Sequence, residues 1–442
     1  MIATSQTGSD SFADPHAERR RGSGFLYAGE ILADTLLPLG LLLSPATQLR
    51  AEGSVIGPGE LCLAAWIGVQ LVRETSRLGP PMTPALTRLL AFWTLFAFAQ
   101  CLGLLMGLAF EPIRDPSSAL HDTIAYTLMA AVSCLSVALP DAGRRLRRMV
   151  WMTVGLGTVL LAIQLAEAWG LARVTGANPY DWNRLRGWSE NPNALALVSS
   201  ALVALPLFLA ETATRASERT FASLLCIPPM YVGLLTGSDS FSLFLLTALP
   251  LVAVLRLRLW LLSRDGELTL RSASAGLILI AAPLGLAGAA PFAPSGIALI
   301  EQRAAETYAE NGQGEDRLNL WKEALRRGIQ SGMVGYGPGA HITDSKIKRE
   351  PPPNFEAHNT LLDLFTQGGL LIVLLFVWLT MTSFIAACRA HRFSLAALLA
   401  GLIIFSMFHQ ITRHPIFWFG ITLCLVAART TASEPLLRRA SP

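Results

Sequence analysis

Charged side chains are scarce in this sequence. They make up 15% of the 442 residues, against about 25% in an ordinary soluble domain. With 52% hydrophobic residues and a mean hydropathy of +0.46, a soluble globular chain is excluded. Cysteine is sparse too. Cys62, Cys101, Cys134, Cys226, Cys388 and Cys424 all lie inside apolar runs or at their ends, none with CxxC spacing. That placement supports neither a disulfide framework nor a zinc site, and the thiols read as core residues. No Asp-x-Asp pair occurs, and no His, Cys and carboxylate group has metal-ligand spacing, so no metal or cofactor is expected. The formal net charge of +4 is small and says little about partners; no nucleic-acid partner is expected.

What is present is one apolar run after another. About 20 apolar residues cross a bilayer, and twelve segments qualify: 24–44, 54–73, 87–110, 120–140, 149–171, 193–211, 219–237, 239–262, 273–293, 360–386, 393–411 and 413–429. The expected fold is an all-α polytopic membrane bundle of about twelve spans. Its expected divisions are a tail at 1–23, spans one to nine within 24–293, a long polar loop at 294–359, spans ten to twelve within 360–429, and a tail at 430–442. Arg19-Arg20-Arg21 ahead of the first run has the look of a signal-peptide start. Glu30 and Asp34 interrupt that run, so it is read as an uncleaved helix.

Lysine and arginine set the expected orientation. With the N-terminus in the cytoplasm, inner segments carry 21 of the 35 basic residues and short outer loops carry six, the other eight lying in the long loop. Both termini are then cytoplasmic. The long loop between the ninth and tenth spans faces outward, into the periplasm of a Gram-negative inner membrane.

A polar loop of that length is functional or disordered. This one holds Asp316-Arg317-Leu318-Asn319-Leu320-Trp321, then Gly335-Tyr336-Gly337-Pro338-Gly339, and ends in His358-Asn359. Leu318, Trp321, Leu325 and Ile329 have amphipathic-helix spacing. Arg317 sits in the first turn of that helix, where the macrodipole disfavours a cation; it serves either an anionic ligand or an ion pair with Glu315 or Asp316. The glycine-rich turn lacks the Lys-Ser/Thr of a P-loop and reads as structural. His358 precedes a capping-box-like Thr360-Leu361-Leu362-Asp363. The dipole there favours a neutral ring able to take a proton, although a histidine at an interface also serves purely structural ends. On the same outward face, Arg184 and Arg186 precede Asn191-Pro192-Asn193, an N-cap followed by proline at the first helical position. A helix N-terminus beside an arginine is a phosphate site, or the arginine pairs with lipid headgroups or Glu190. The residues thus describe an outward site with arginines for an anion and one histidine for proton transfer.

The set Arg186-Gly187, Asn191-Pro192-Asn193, Arg317 with Trp321, Gly335-Tyr336-Gly337-Pro338-Gly339, His358-Asn359 and Gly368-Gly369 resembles the O-antigen ligase and polysaccharide polymerase superfamily. The specific motifs cover about 180–195 and 312–370. The resemblance implies a GT-C-like, metal-independent, inverting glycosyltransferase. It would move a glycan from undecaprenyl diphosphate to a sugar hydroxyl. The acceptor would be lipid A-core for a ligase, the favoured reading, or a growing polysaccharide for a polymerase. Carried over by position, Arg186 and Arg317 hold the donor diphosphate and His358 activates the acceptor. Arg184, Asn191, Asn193, Trp321, Tyr336 and Asn359 are the expected substrate-binding residues. One departure stands out: many relatives have Ser-Arg at the start of the eighth span, where this chain reads Ser238-Asp239-Ser240. The missing basic contact then falls to a residue such as Arg184 or Arg413. The rival class is a transporter, which would pair ionisable residues at the membrane midplane. Glu30, Asp34, Glu167, Asp239 and His409 are its candidates.

Overall fold

The computed structural model describes residues 15–51, 54, 56–75, 82–110, 116–262, 313–343 and 354–439. The helices are α1 (Pro15–Leu43), α2 (Pro58–Thr75), α3 (Pro84–Phe110), α4 (Pro116–Ala138), α5 (Ala142–Ala168), α6 (Pro192–Thr212), α7 (Ala216–Leu224), α8 (Ile227–Leu235), α9 (Asp239–Leu262), α10 (Gln313–Gln330), α11 (Thr360–Arg389), α12 (Phe393–Ser406) and α13 (Pro415–Arg439). Two antiparallel two-residue ladders join them: β1 (Tyr180–Asp181) with β2 (Arg184–Leu185), and β3 (Ile342–Thr343) with β4 (Asn354–Phe355). Among the described residues, six helices are long and apolar enough to cross a membrane: α3, α4, α5, α6, the Asp239–Leu259 part of α9, and α11. The expected ninth span, 273–293, and the loop up to residue 312 lie outside the described residues.

Eleven of the expected spans fall on described helices, with corrections at their ends. The seventh is two short helices, α7 and α8, broken at Leu225–Cys226. Pro228 and Pro229 follow the break at the start of α8, where missing N–H groups have no partner to lose. The eleventh ends at Ser406 rather than 411, so residues 407–414 form a connecting loop.

Loop-to-loop hydrogen bonds sort into two ends of the bundle. At one end Gln48 Nε2 donates to the Gly187 and Ser189 carbonyls at 2.9 and 2.7 Å. At the same end, Thr360 Oγ1 donates to His409 O at 2.7 Å. At the other end Arg147 donates to Glu218 at 2.6 Å, Arg145 and Arg148 clasp the buried Asp34, and Glu211 accepts the Phe393 and Ser394 amides, each at 3.1 Å. The core between is aromatic where α3 and α13 meet. Trp93 and Trp418 lie 4.4 Å apart between ring centroids, and their indole N–H groups, which must be satisfied when buried, donate to Ser133 Oγ and Thr412 O.

Part of the polar loop is threaded into the bundle. Gly337 N donates to Gln367 O at 2.7 Å, Tyr336 N to Thr366 O at 2.9 Å, and Leu370 N to Met333 O at 2.9 Å. Gln367 and Thr366 can accept from the loop because α11 breaks beside them: Gly368 and Gly369 have non-helical backbone. Glycines on α3 make room on the other side. A Cβ at Gly103 would come 2.4 Å from Gln367 O, and one at Gly107 2.7 Å from Tyr336 O. Non-helical backbone at this depth is tolerated when protein groups satisfy it. Gly369 has φ +68°, and a Cβ there would lie 1.8 Å from Met333 O. Gly369→Ala is therefore expected to combine left-handed strain, roughly 1–3 kcal/mol, with a backbone clash. The detergent-solubilised variant should melt at lower temperature or fail to accumulate, and an unchanged melting curve would show that the loop can leave this seat freely.

Candidate functional site

The site is built where four loop ends meet. The β1–β2 hairpin turns through Trp182 and Asn183, both at positive φ, the two-residue turn that matches strand twist. It delivers Arg184, whose Nε donates to Thr236 O at 2.8 Å and whose NH2 donates to Asn193 Oδ1 at 3.2 Å. Arg184 thereby lies against the start of α9. Asn191 caps α6, its side chain accepting from Ala194 N at 3.0 Å. Arg186 is placed differently from its neighbour: its Nε donates to Asn178 O at 3.0 Å and its NH1 to Glu190 O at 3.2 Å. Both contacts hold the loop's own backbone.

At the head of α11 the cap differs by one residue from the expected one. Asn359, not Thr360, is the N-cap, its Oδ1 accepting from Leu361 N and Leu362 N. Asp363 reaches back to accept from Ala357 N at 2.7 Å and Asn359 N at 3.3 Å. With the amides on either side drawn to one carboxylate, His358 is pushed outward at φ +53°. Left-handed backbone at a non-glycine residue is uncommon. Trp321 holds α10 to this segment, its indole donating to Ala357 O at 3.0 Å. Tyr336, by contrast, is buried in the threaded loop with its ring 5.8 Å from His341.

The loop 407–414 closes the site. Asn359 Nδ2 donates to Met407 O at 2.9 Å, Ile411 N donates to Thr360 Oγ1 at 3.1 Å, and His409 Nε2 lies 3.0 Å from Ser240 Oγ. Arg413 NH1 meets Asp122 Oδ1 at 2.8 Å, and its NH2 is paired with Glu356. Asp122 also accepts from Gln367 Nε2 and Gly339 N, so Arg413 is fastened to the loop insertion as well.

Electrostatics tie the groups together. The Arg317 charge acts on Arg184, His358 and His409. Burial draws the Arg184 pKa down, opposed by Asp239 and Asp181 and reinforced by Arg317. His358 keeps part of its ring to solvent. Desolvation still lowers its pKa, helped by Arg317 and Arg413 against the upward pull of Glu356. His409 is pushed down to about 3, first by burial and then by the charges of Arg317, His358, His414 and Arg184. His414 falls to about 4 through burial and Arg413. Arg413 moves the other way: burial alone would lower its pKa, but Glu356 and Asp122 raise it.

Arg184, Arg317, His358, His409 and Arg413 therefore form one cluster of three cationic arginines and two histidines, drawn from four separate stretches of chain. Arg317 makes no hydrogen bond or ion pair among the described residues; the side chains of Glu315 and Asp316 lie outside them. Among the described residues, no three His, Cys, Asp or Glu side chains gather as a metal would need. The transporter candidates find other partners. Glu30 and Asp34 face Arg145 and Arg148, and Glu167 accepts the Val174 and Thr175 amides and the Trp188 indole. Asp239 acts on Arg184. Sequence reasoning gave His409 no place in this site and named Arg413 only as a substitute. Nothing in either residue's own neighbourhood reveals the contacts to Thr360 and Asp122 that bring them in.

Residues 221–377 match the family model described as O-Antigen ligase. The matched stretch runs from α7 into α11 and contains Arg317, the threaded glycine loop and His358. Arg184 and the 407–414 loop lie outside it. No curated protein matches the chain.

Proposed function

We propose that this membrane protein of the O-antigen ligase superfamily transfers a glycan from a lipid-linked diphosphate donor to an acceptor sugar hydroxyl. The observation that carries the reading is the cationic cluster at one end of an apolar bundle. Arginines suit phosphate because their planar fork gives bidentate, charge-assisted hydrogen bonds. Arg317 and Arg184 would hold the diphosphate; Arg186, occupied by loop carbonyls, would shape the hairpin that presents Arg184. The diphosphate is bound to the anomeric carbon, and the acceptor oxygen attacks that carbon from the opposite face. The carbon–oxygen bond to the diphosphate breaks with its electron pair staying on the diphosphate, and the acceptor proton passes to His358. Configuration inverts. Most of the rate would come from positioning and from charge stabilisation of the leaving group.

The donor is read as undecaprenyl diphosphate-linked glycan, with the site on the periplasmic side of an inner membrane. The distribution of arginine and lysine supports that orientation. The acceptor is read as lipid A-core, which makes the protein a ligase; a growing polysaccharide would make it a polymerase. Purified protein in liposomes, given one lipid-linked repeat donor, is expected to lengthen lipid A-core. Chain growth on a second lipid-linked repeat, with lipid A-core untouched, would establish the polymerase instead. Failure to release lipid diphosphate with either acceptor would end the transferase reading.

A further inference from the structure

His409 stands at the centre of the cluster. Its Nε2 lies 3.0 Å from Ser240 Oγ in the first turn of α9, its ring is 4.8 Å from that of Phe405, and its carbonyl accepts from Thr360 Oγ1. Nδ1 makes no hydrogen bond among the described residues. Two buried polar side chains close by in sequence to His409 and Ser240 have an unsatisfied atom: Gln410 Nε2 in the same loop, and Ser238 Oγ just ahead of α9. The charged and titratable groups facing the ring are Arg184 from β2, Arg317 from α10, His358 from the head of α11, and His414 from its own loop. The nearby acids Asp239 and Glu356 act instead on Arg184 and His358. A buried ring beside Ser240 and the two cations Arg184 and Arg317 stays neutral only while no anion answers them.

We propose that His409 takes up a proton when a diphosphate settles between Arg184 and Arg317, and that the imidazolium then hydrogen-bonds a diphosphate oxygen. The inference rests on the reading of this cluster as the donor site. An added pair of negative charges within a few ångströms favours the charged form of a histidine. When the anomeric carbon–oxygen bond breaks, the departing diphosphate gains one negative charge, and the imidazolium N–H is in place to meet it. The acceptor proton goes separately to His358. Until that transfer the two rings hold opposite states, and the positive charge on His409 helps to keep His358 neutral. Ser240 supplies a hydroxyl that orients this second histidine.

The test is calorimetric titration of the detergent-solubilised full chain with a short-prenyl diphospho-N-acetylglucosamine. This is a diphosphate diester whose phosphates have no proton to exchange near neutral pH. Titrations at about pH 7.5 in two buffers of different ionisation enthalpy read the protons taken up. Wild type is expected to take up a proton on binding, His358→Gln to keep that uptake, and His409→Gln to bind more weakly with the uptake lost. In wild type alone the Kd should rise with pH above neutrality, by up to about tenfold per pH unit for one linked proton. That measurement decides the matter if His409→Gln does not accumulate. Equal uptake in His409→Gln, or wild-type binding with neither proton exchange nor pH dependence, would overturn the inference and leave the donor site standing. A wild-type protein that does not bind the diester would overturn the donor site itself, and this inference with it.

Discussion

Arg317→Lys is expected to lose most glycan transfer despite keeping its charge. A lysine ammonium is a compact, strongly hydrated point charge and cannot reproduce the two parallel hydrogen bonds of a guanidinium to phosphate. Losing one preorganised donor aimed at developing negative charge costs on the order of 10²–10³ in rate, so product should fall to a hundredth of wild type or below at matched expression. Arg186→Lys is the internal comparison. Its guanidinium holds the Asn178 and Glu190 carbonyls, and a lysine can still satisfy one of them, so the loss there should be small. If Arg317→Lys retains normal transfer, Arg317 is a surface ion-pair residue and the diphosphate reading loses its main support. If Arg186→Lys is the more damaging change, the donor contact lies on Arg186 and Arg184 is the scaffold.

The second large effect is expected at His358. Substitution by alanine should lower transfer by about 10²–10⁴-fold, the range of general-base assistance, while donor binding and protein level persist. A ring that accepts a proton works in its neutral form, and desolvation with the Arg317 and Arg413 charges moves its pKa below the usual histidine value. The neutral form therefore dominates at and above neutral pH. Turnover at saturating donor should be flat as pH rises past about 7 and should fall on the acid side as the ring protonates. His358→Gln distinguishes the alternatives, because glutamine replaces a hydrogen bond but cannot carry the proton away. Near-normal transfer by that variant would remove the base role and leave His358 as an orienting residue.

Much of the frame was legible in the sequence because long apolar runs are constrained residue by residue. The third, fourth, sixth, eighth and tenth runs coincide with helices to within four positions at either end, while the fifth helix starts seven residues before its run. The seventh did not, since Pro228-Pro229 permits a helix to restart as readily as it forbids one to continue. The cap at Asn359 was misassigned to Thr360 because both residue types cap well. Only the structure shows Thr360 Oγ1 turned to the 407–414 loop. The site was half legible for a related reason. Arg317, His358 and Arg184 break local rules or sit on a disfavoured face, and such exceptions can be found one at a time. His409, an ionisable residue in an apolar run, and Arg413, on the same disfavoured face, are exceptions too, but their place in the site depends on which loops touch. Hydropathy, which fixes each helix separately, carries no record of that.

The loop threaded at Gly337 has a consequence for how such proteins can be recombined. A loop that lay over the bundle could be exchanged between relatives as a cassette. This one shares backbone hydrogen bonds with Thr366, Gln367 and Leu370 and fits against α3 only where Gly103 and Gly107 carry no side chain. A chimaera that imports residues 313–359 alone would bring a foreign loop to a socket cut for another. The smallest transplantable unit would be the loop with the Gly368-Gly369 break and the facing surface of α3. Acceptor preference, if it resides in the loop, would travel only with that part of the bundle.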